Sequence, residues 1–218
     1  MIKFKLFRYP VQIELTFLFI LLIFGSSFLQ RNDIGGFVEV SLILLVSILV
    51  HEFGHAMAFR YYKIDSRILI HGLGGLCIPS TGRLTPKDNM FVCLCGPFAG
   101  FALAIVYYLA DKAGLLPETA LPAEYRSYLV YFINIGWGIF NLLPIYPLDG
   151  GQSLYNFLKW RKISNSLKKA LKVSIVCLTL IGAYALFRKE IFILVLCGWF
   201  LYENIQKWNS INAGNYSE

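Results

Sequence analysis

Val38-Glu39-Val40-Ser41-Leu42-Ile43-Leu44-Leu45-Val46-Ser47-Ile48-Leu49-Val50-His51-Glu52-Phe53-Gly54-His55 is the stretch on which the reading of this chain turns. Nothing from Leu42 to Val50 carries a charge, and the apolar run around it approaches the roughly 20 residues that a bilayer-spanning helix needs. On a helix, positions i and i+4 share a face, so His51 and His55 can grip one metal ion. Glu52 then lies beside the metal, where it can take a proton from water. Two histidines and a carboxylate are expensive at that depth, and intramembrane ionisable groups are read first as functional. The stretch implies a hydrolytic zinc centre within the membrane.

Composition extends this to the whole chain. Of 218 residues, 57% are hydrophobic and 15% charged, against about 25% charged in soluble domains. Apolar runs near Pro10–Leu29, Gly36–Phe59, Met90–Ala110, Tyr128–Ile145, Leu171–Phe187 and Ile191–Lys207 read as six spans. The expected fold is an all-α polytopic membrane protein of about six transmembrane helices, with a short hairpin or extended segment between the second and third. Residues 1–207 are expected to form one integral-membrane domain, and 208–218 a short polar, disordered tail.

The net charge of +7 does not point to nucleic acid, because its distribution is topological. With the N-terminus inside and all spans crossing, the outer side keeps only Arg31, Lys112, Arg126, Arg188 and Lys189 of the 20 Lys and Arg. That is the positive-inside bias, and it places both termini in the cytoplasm of a cell-membrane protein. Lys3, Lys5 and Arg8 before an apolar run resemble a signal peptide. The run is too long and lacks a small-residue cleavage site, so an uncleaved span is expected. The five cysteines show no C-x-x-C spacing and read as packing residues.

Residues 64–89 are the least helix-like part. Arg67-Ile68-Leu69-Ile70-His71 has strand character, and Gly72, Gly74, Gly75, Pro79 and Gly82 punctuate the residues beyond it. This segment is either a plain cytoplasmic loop or a hairpin folded against the helices, whose strand edge could pair with an extended substrate. In Cys95-Gly96-Pro97-Phe98-Ala99-Gly100, Gly96 and Gly100 have the small-x-x-x-small spacing of close helix packing, and Pro97 is expected to begin or kink the third span.

Catalytic zinc usually takes three protein ligands. Two residues compete for the third place. His71 is the only other histidine, and Asp149 lies in Asn141-Leu142-Leu143-Pro144-Ile145-Tyr146-Pro147-Leu148-Asp149-Gly150-Gly151. Pro144 and Pro147 should break the fourth helix, and Gly150 lets the backbone turn tightly. An acid at that break lies at the depth of the histidines; the alternative is an ordinary turn residue before glycine. Beside H-E-x-x-H the ligand reading is favoured.

The pair formed by H-E-F-G-H and N-L-L-P-x-x-P-L-D-G-G resembles the site-2 protease family of intramembrane zinc metalloproteases. Gly74-Gly75-Leu76 and Cys95-Gly96-Pro97-Phe98 are also similar to that family's pattern. The resemblance implies one Zn²⁺ held by His51, His55 and Asp149, with Glu52 as general base. It implies a transmembrane protein substrate cut in or near its membrane segment, in regulated intramembrane proteolysis, with lipid and possible regulatory membrane proteins as partners. Asn134 and Asn141 match asparagines beside the site that could hold substrate backbone or the oxyanion. Gly74, Gly75, Gly96, Pro97, Pro144 and Gly150 are accessory positions. Gly100 and Glu14 depart from the pattern, where asparagine and histidine are common; neither is a metal ligand. There is no room for a PDZ or CBS domain, so a minimal form is expected.

Two other functions compete. A metal transporter would use the histidines as a transit site, but the candidate ligands cluster around one helix turn instead of along a path. An inactive scaffold of the same fold would not need the full set of His51, Glu52, His55 and Asp149.

Overall fold

The structure, a computed structural model, describes residues 1–72 and 74–213. The chain opens with β1 (Ile2–Leu6) and β2 (Tyr9–Ile13). Apolar Ile2, Phe4 and Leu6 alternate with Lys3 and Lys5, which is the period of a strand with two unlike faces. The connection is the dipeptide Phe7-Arg8, with both residues at positive φ (45° and 77°), as a type I′ hairpin turn requires. Large side chains are disfavoured there by about 1–2 kcal/mol each. Phe7 is partly compensated by an edge-on contact with Phe53, with ring centroids 6.2 Å apart.

This hairpin corrects two expectations. The chain is not all-α, and Pro10–Leu29 is not one span but a strand, a turn and the short helix α1 (Phe17–Gln30). Hydropathy alone does not distinguish that succession from a continuous helix. After α1 comes α2 (Ile34–Tyr61), whose first turn is capped by Asp33 accepting from Gly36 N–H at 2.8 Å. A hairpin comes next, in place of a plain loop, as β3 (Ser66–His71) and β4 (Gly74–Pro79). The sheet order is β1-β2-β3-β4, with β2 and β3 parallel in the register Val11↔Ile68. Val11, Ile68 and Ile70 are fully buried and share a core with Val40, Leu44 and Ile48 of α2.

The remaining elements are α3 (Pro86–Lys112), α4 (Ala123–Tyr131), a π-helical turn (Phe132–Gly136), α5 (Trp137–Asn141), α6 (Asp149–Trp160), α7 (Ser166–Arg188) and α8 (Ile191–Asn212). Pro97 does not begin α3 but sits buried inside it. The last helix continues past Lys207, so 208–212 are helical instead of a loose tail; residues 214–218 of that expected tail lie outside the described residues. Among the described residues, α2, α3 and α7 are long and apolar enough to cross a membrane. They expose Leu42, Val46, Ile105, Val106, Val176 and Leu180, an apolar exterior that a protein in water rarely carries.

The chain divides into two compact units, 1–83 with 95–140, and 84–94 with 141–218. In the first, Arg126 of α4 is buried and donates to Pro117 O (2.9 Å), Thr119 Oγ1 (2.6 Å) and Tyr107 Oη (3.2 Å). Its guanidinium lies 3.8 Å from Glu39 Oε1. Glu39 also accepts from Thr119 Oγ1 (2.7 Å) and Leu121 N–H (2.9 Å). A buried charge pair needs such additional hydrogen bonds to be tolerated. In the second unit, Ile145, Leu178 and Cys197 form the core.

Candidate metal centre

The i, i+4 spacing of the motif is realised on α2. His51 and His55 are both buried, with their Nε2 atoms 3.3 Å apart. Two imidazoles on tetrahedral zinc, at Zn–N of about 2.0–2.1 Å, would hold their nitrogens about 3.3 Å apart. The observed pair therefore fits zinc without rearrangement.

Glycines clear the space around these rings. At Gly96 of α3 a Cβ would collide with His55 Nε2 and stand 2.8 Å from His51 Nε2. At Gly54 it would collide with the Cys95 carbonyl oxygen. The C-G-P stretch thus lets α3 pass over the imidazoles at backbone distance, the close approach its small residues were expected to permit. Gly96→Ala is expected to cut zinc affinity at least tenfold while leaving the helices intact. Metal titration alongside circular dichroism checks this, and wild-type affinity in that variant would remove Gly96 from the site.

Glu52 is buried beside the edge strand β4. A Cβ on Gly75 would lie 2.5 Å from Glu52 Cγ and 2.6 Å from Oε1. Gly74 has φ +127°, a conformation that favours glycine. Burial pushes the Cys77 thiol of β4 up to about 12, and the Glu52 carboxylate acts in the same direction.

Asn134 lies in the π turn, an irregularity frequent at functional sites. Its Nδ2 donates to Ser47 Oγ and to Val130 O, both at 2.9 Å. Ser47 is one helical turn before His51, so Asn134 braces the motif helix. Both of its amide N–H groups are engaged, which leaves no donor for an oxyanion in this arrangement. Sequence reasoning missed both the π turn and Ser47 as a partner, and no local pattern marks either. Gly100 packs against Asn134, where a Cβ would stand 3.3 Å from its backbone oxygen. His71 closes β3 opposite Gly74, and Glu14 comes directly after β2 with its N–H bonded to Ile70 O at 2.9 Å.

In the second unit the helix breaks where the prolines predicted. Asn141, buried, ends α5, and Asp149 opens α6 half-buried. Gly150 and Gly151 are pressed against the carbonyls of Leu142, Leu143 and Ile145, so the loop containing Pro144 folds back onto the first turn of α6.

Residues 39–113 and 119–182 match peptidase family M50, and the chain belongs to that family. It is 29% identical over 177 residues to a zinc metalloprotease of Methanocaldococcus jannaschii, covering 77% of this chain and 50% of that protein. It is 30% identical over 155 residues to stage IV sporulation protein FB of Bacillus subtilis, covering 70% and 52%. The chain spans about half the length of these curated relatives. Among solved structures, the site-2 protease from M. jannaschii matches with a TM-score of 0.65 over 94% of both chains at 22% identity, a likeness of fold.

Proposed function

We propose that this protein is an intramembrane zinc endopeptidase that hydrolyses a peptide bond in or near a transmembrane segment of another membrane protein. The observation that carries the proposal is the buried His51–His55 pair at zinc spacing, with Glu52 beside it, on a helix apolar enough to span a bilayer. Membership of a peptidase family and relatives named as zinc metalloproteases support it. Asp149 is the proposed third ligand, for its place at a proline-broken, glycine-packed helix start.

When bound, zinc supplies Lewis acidity and lowers the pKa of water to about 7. Glu52 accepts the proton of the attacking water at its carboxylate and returns it to the departing amine nitrogen. Gly75 holds that carboxylate close to β4. This strand is an edge of the sheet, so an unwound substrate can add to it as a further strand. Helical hydrogen bonds protect peptide carbonyls, so substrates are expected to carry helix-breaking residues near the cut. Asn141 is a candidate for holding substrate backbone, and Asn134 for keeping α2 in place.

The lysine and arginine bias supports a multi-pass protein with both termini cytoplasmic in the cell membrane. The test is cleavage of a transmembrane substrate by the purified chain in proteoliposomes, with Lys162→Cys labelling to report orientation. Cleavage is expected to stop on chelation and return with Zn²⁺. Cleavage that survives complete zinc removal would overturn the function, and Lys162→Cys labelled only from outside would reverse the topology.

A further inference from the structure

Two polar side chains in the last helices belong neither to the motif helix nor to the break that carries Asp149. Ser174 of α7 and Asn204 of α8 have no solvent exposure at all, and polar groups buried in apolar helices are costly unless employed. Both are spent on the backbone of one residue. Ser174 Oγ accepts from Tyr146 N–H at 3.0 Å, and Asn204 Nδ2 donates to Tyr146 O at 2.6 Å. The second Asn204 N–H goes to Phe200 O at 2.7 Å, within its own helix. Its Oδ1, by contrast, has no hydrogen-bond partner among the described residues. What Asn204 contributes to the packing is therefore its N–H groups.

Tyr146 lies just ahead of Asp149, and little slack separates them. Leu148 N–H bonds to Ile145 O at 2.8 Å, Gln152 Nε2 to Pro147 O at 2.9 Å, and Gln152 N–H to Leu148 O at 2.9 Å. Gly151 presses on the Ile145 and Tyr146 backbone, and Ile145 is buried against Leu178 and Cys197. Fixing the Tyr146 backbone therefore fixes where α6 starts and where the Asp149 carboxylate is presented. We propose that Ser174 and Asn204 are positioning residues that clamp the Tyr146 backbone at its N–H and its C=O and so hold Asp149 ready for the metal. The proposal rests on reading Asp149 as a ligand. It gives α8, which lies beyond the family match ending at residue 182, a task at the metal centre.

The test uses the full chain in detergent, with zinc affinity from chelator competition and the visible spectrum of the cobalt-substituted protein. Asn204→Leu and Ser174→Ala are each expected to weaken zinc roughly tenfold, at the low end of outer-shell effects, and to alter the cobalt ligand-field bands. Ser174→Thr, which keeps the hydroxyl, should restore both. In an Asp149→Ala background, adding Asn204→Leu should cost nothing further. Unchanged affinity and spectrum in folded Asn204→Leu and Ser174→Ala would overturn the clamp, as would an equal further loss in the Asp149→Ala background. Should Asn204→Leu fail to fold, Ser174→Ala and its threonine rescue decide the matter. Wild-type affinity in Asp149→Ala alone would instead overturn the ligand assignment, and the clamp with it, so the two failures are told apart by that one variant.

Discussion

Glu52→Gln is expected to retain its zinc and to lose hydrolysis by about 10²–10⁴-fold, the usual cost of removing a general base. The two side chains have nearly the same shape, so the close packing against Gly75 survives. The imidazoles one residue before and three after keep their 3.3 Å spacing, because the substituted group is no ligand. What disappears is a basic carboxylate able to accept a proton from water. Zinc content by elemental analysis and initial rates on a transmembrane substrate check the two halves separately. A normal rate in the zinc-loaded variant would end the assignment of Glu52, and with it the hydrolytic reading of the motif.

The second large effect concerns the third ligand. Asp149→Ala is expected to lower zinc affinity by more than about 100-fold, beyond the range for outer-shell partners, and to abolish cleavage. His71→Ala should leave zinc in place and change substrate handling at most. Imidazole is the commoner zinc ligand in general, so His71 is a serious rival on chemistry alone. Its position argues otherwise: it closes β3 in register with Gly74, as part of a hairpin turn. Asp149 stands at a helix N-terminus, and the two glycines that follow it are packed against the loop of residues 142–146. Elemental analysis of both purified variants decides it, and zinc lost from His71→Ala but kept in Asp149→Ala would exchange their roles.

The motif helix, the hairpin at 66–79 and the break after Asn141 were legible because each has a local signature: helical spacing with an apolar run, β-branched residues beside glycines, and paired prolines. The first hairpin was not, although Ile2, Phe4 and Leu6 alternate with lysines. Its turn carries Phe7 and Arg8 in place of the asparagine or glycine that positive φ normally selects, and the long apolar stretch after it outweighed the alternation. The π turn has no compositional mark at all. Ser47, Ser174 and Asn204 were equally silent, since each acquires meaning only from a partner far away in sequence. Asn134 was legible as a residue near the motif, but its bond to Ser47 Oγ was not.

The Glu39–Arg126 cluster bears on which sequence changes this protein can tolerate. Glu39 and His51 share one helix, about 18 Å apart along its axis at 1.5 Å per residue. No glycine or proline interrupts α2 between them. The loop that reaches Glu39 through Thr119 and Leu121 is therefore harnessed to the same rod that carries the imidazoles. A displacement there has no hinge in which to dissipate before it arrives at the metal. Tolerance along α2 would then divide by face: permissive at exposed Leu42 and Val46, and strict on the buried side that includes Glu39 and His51.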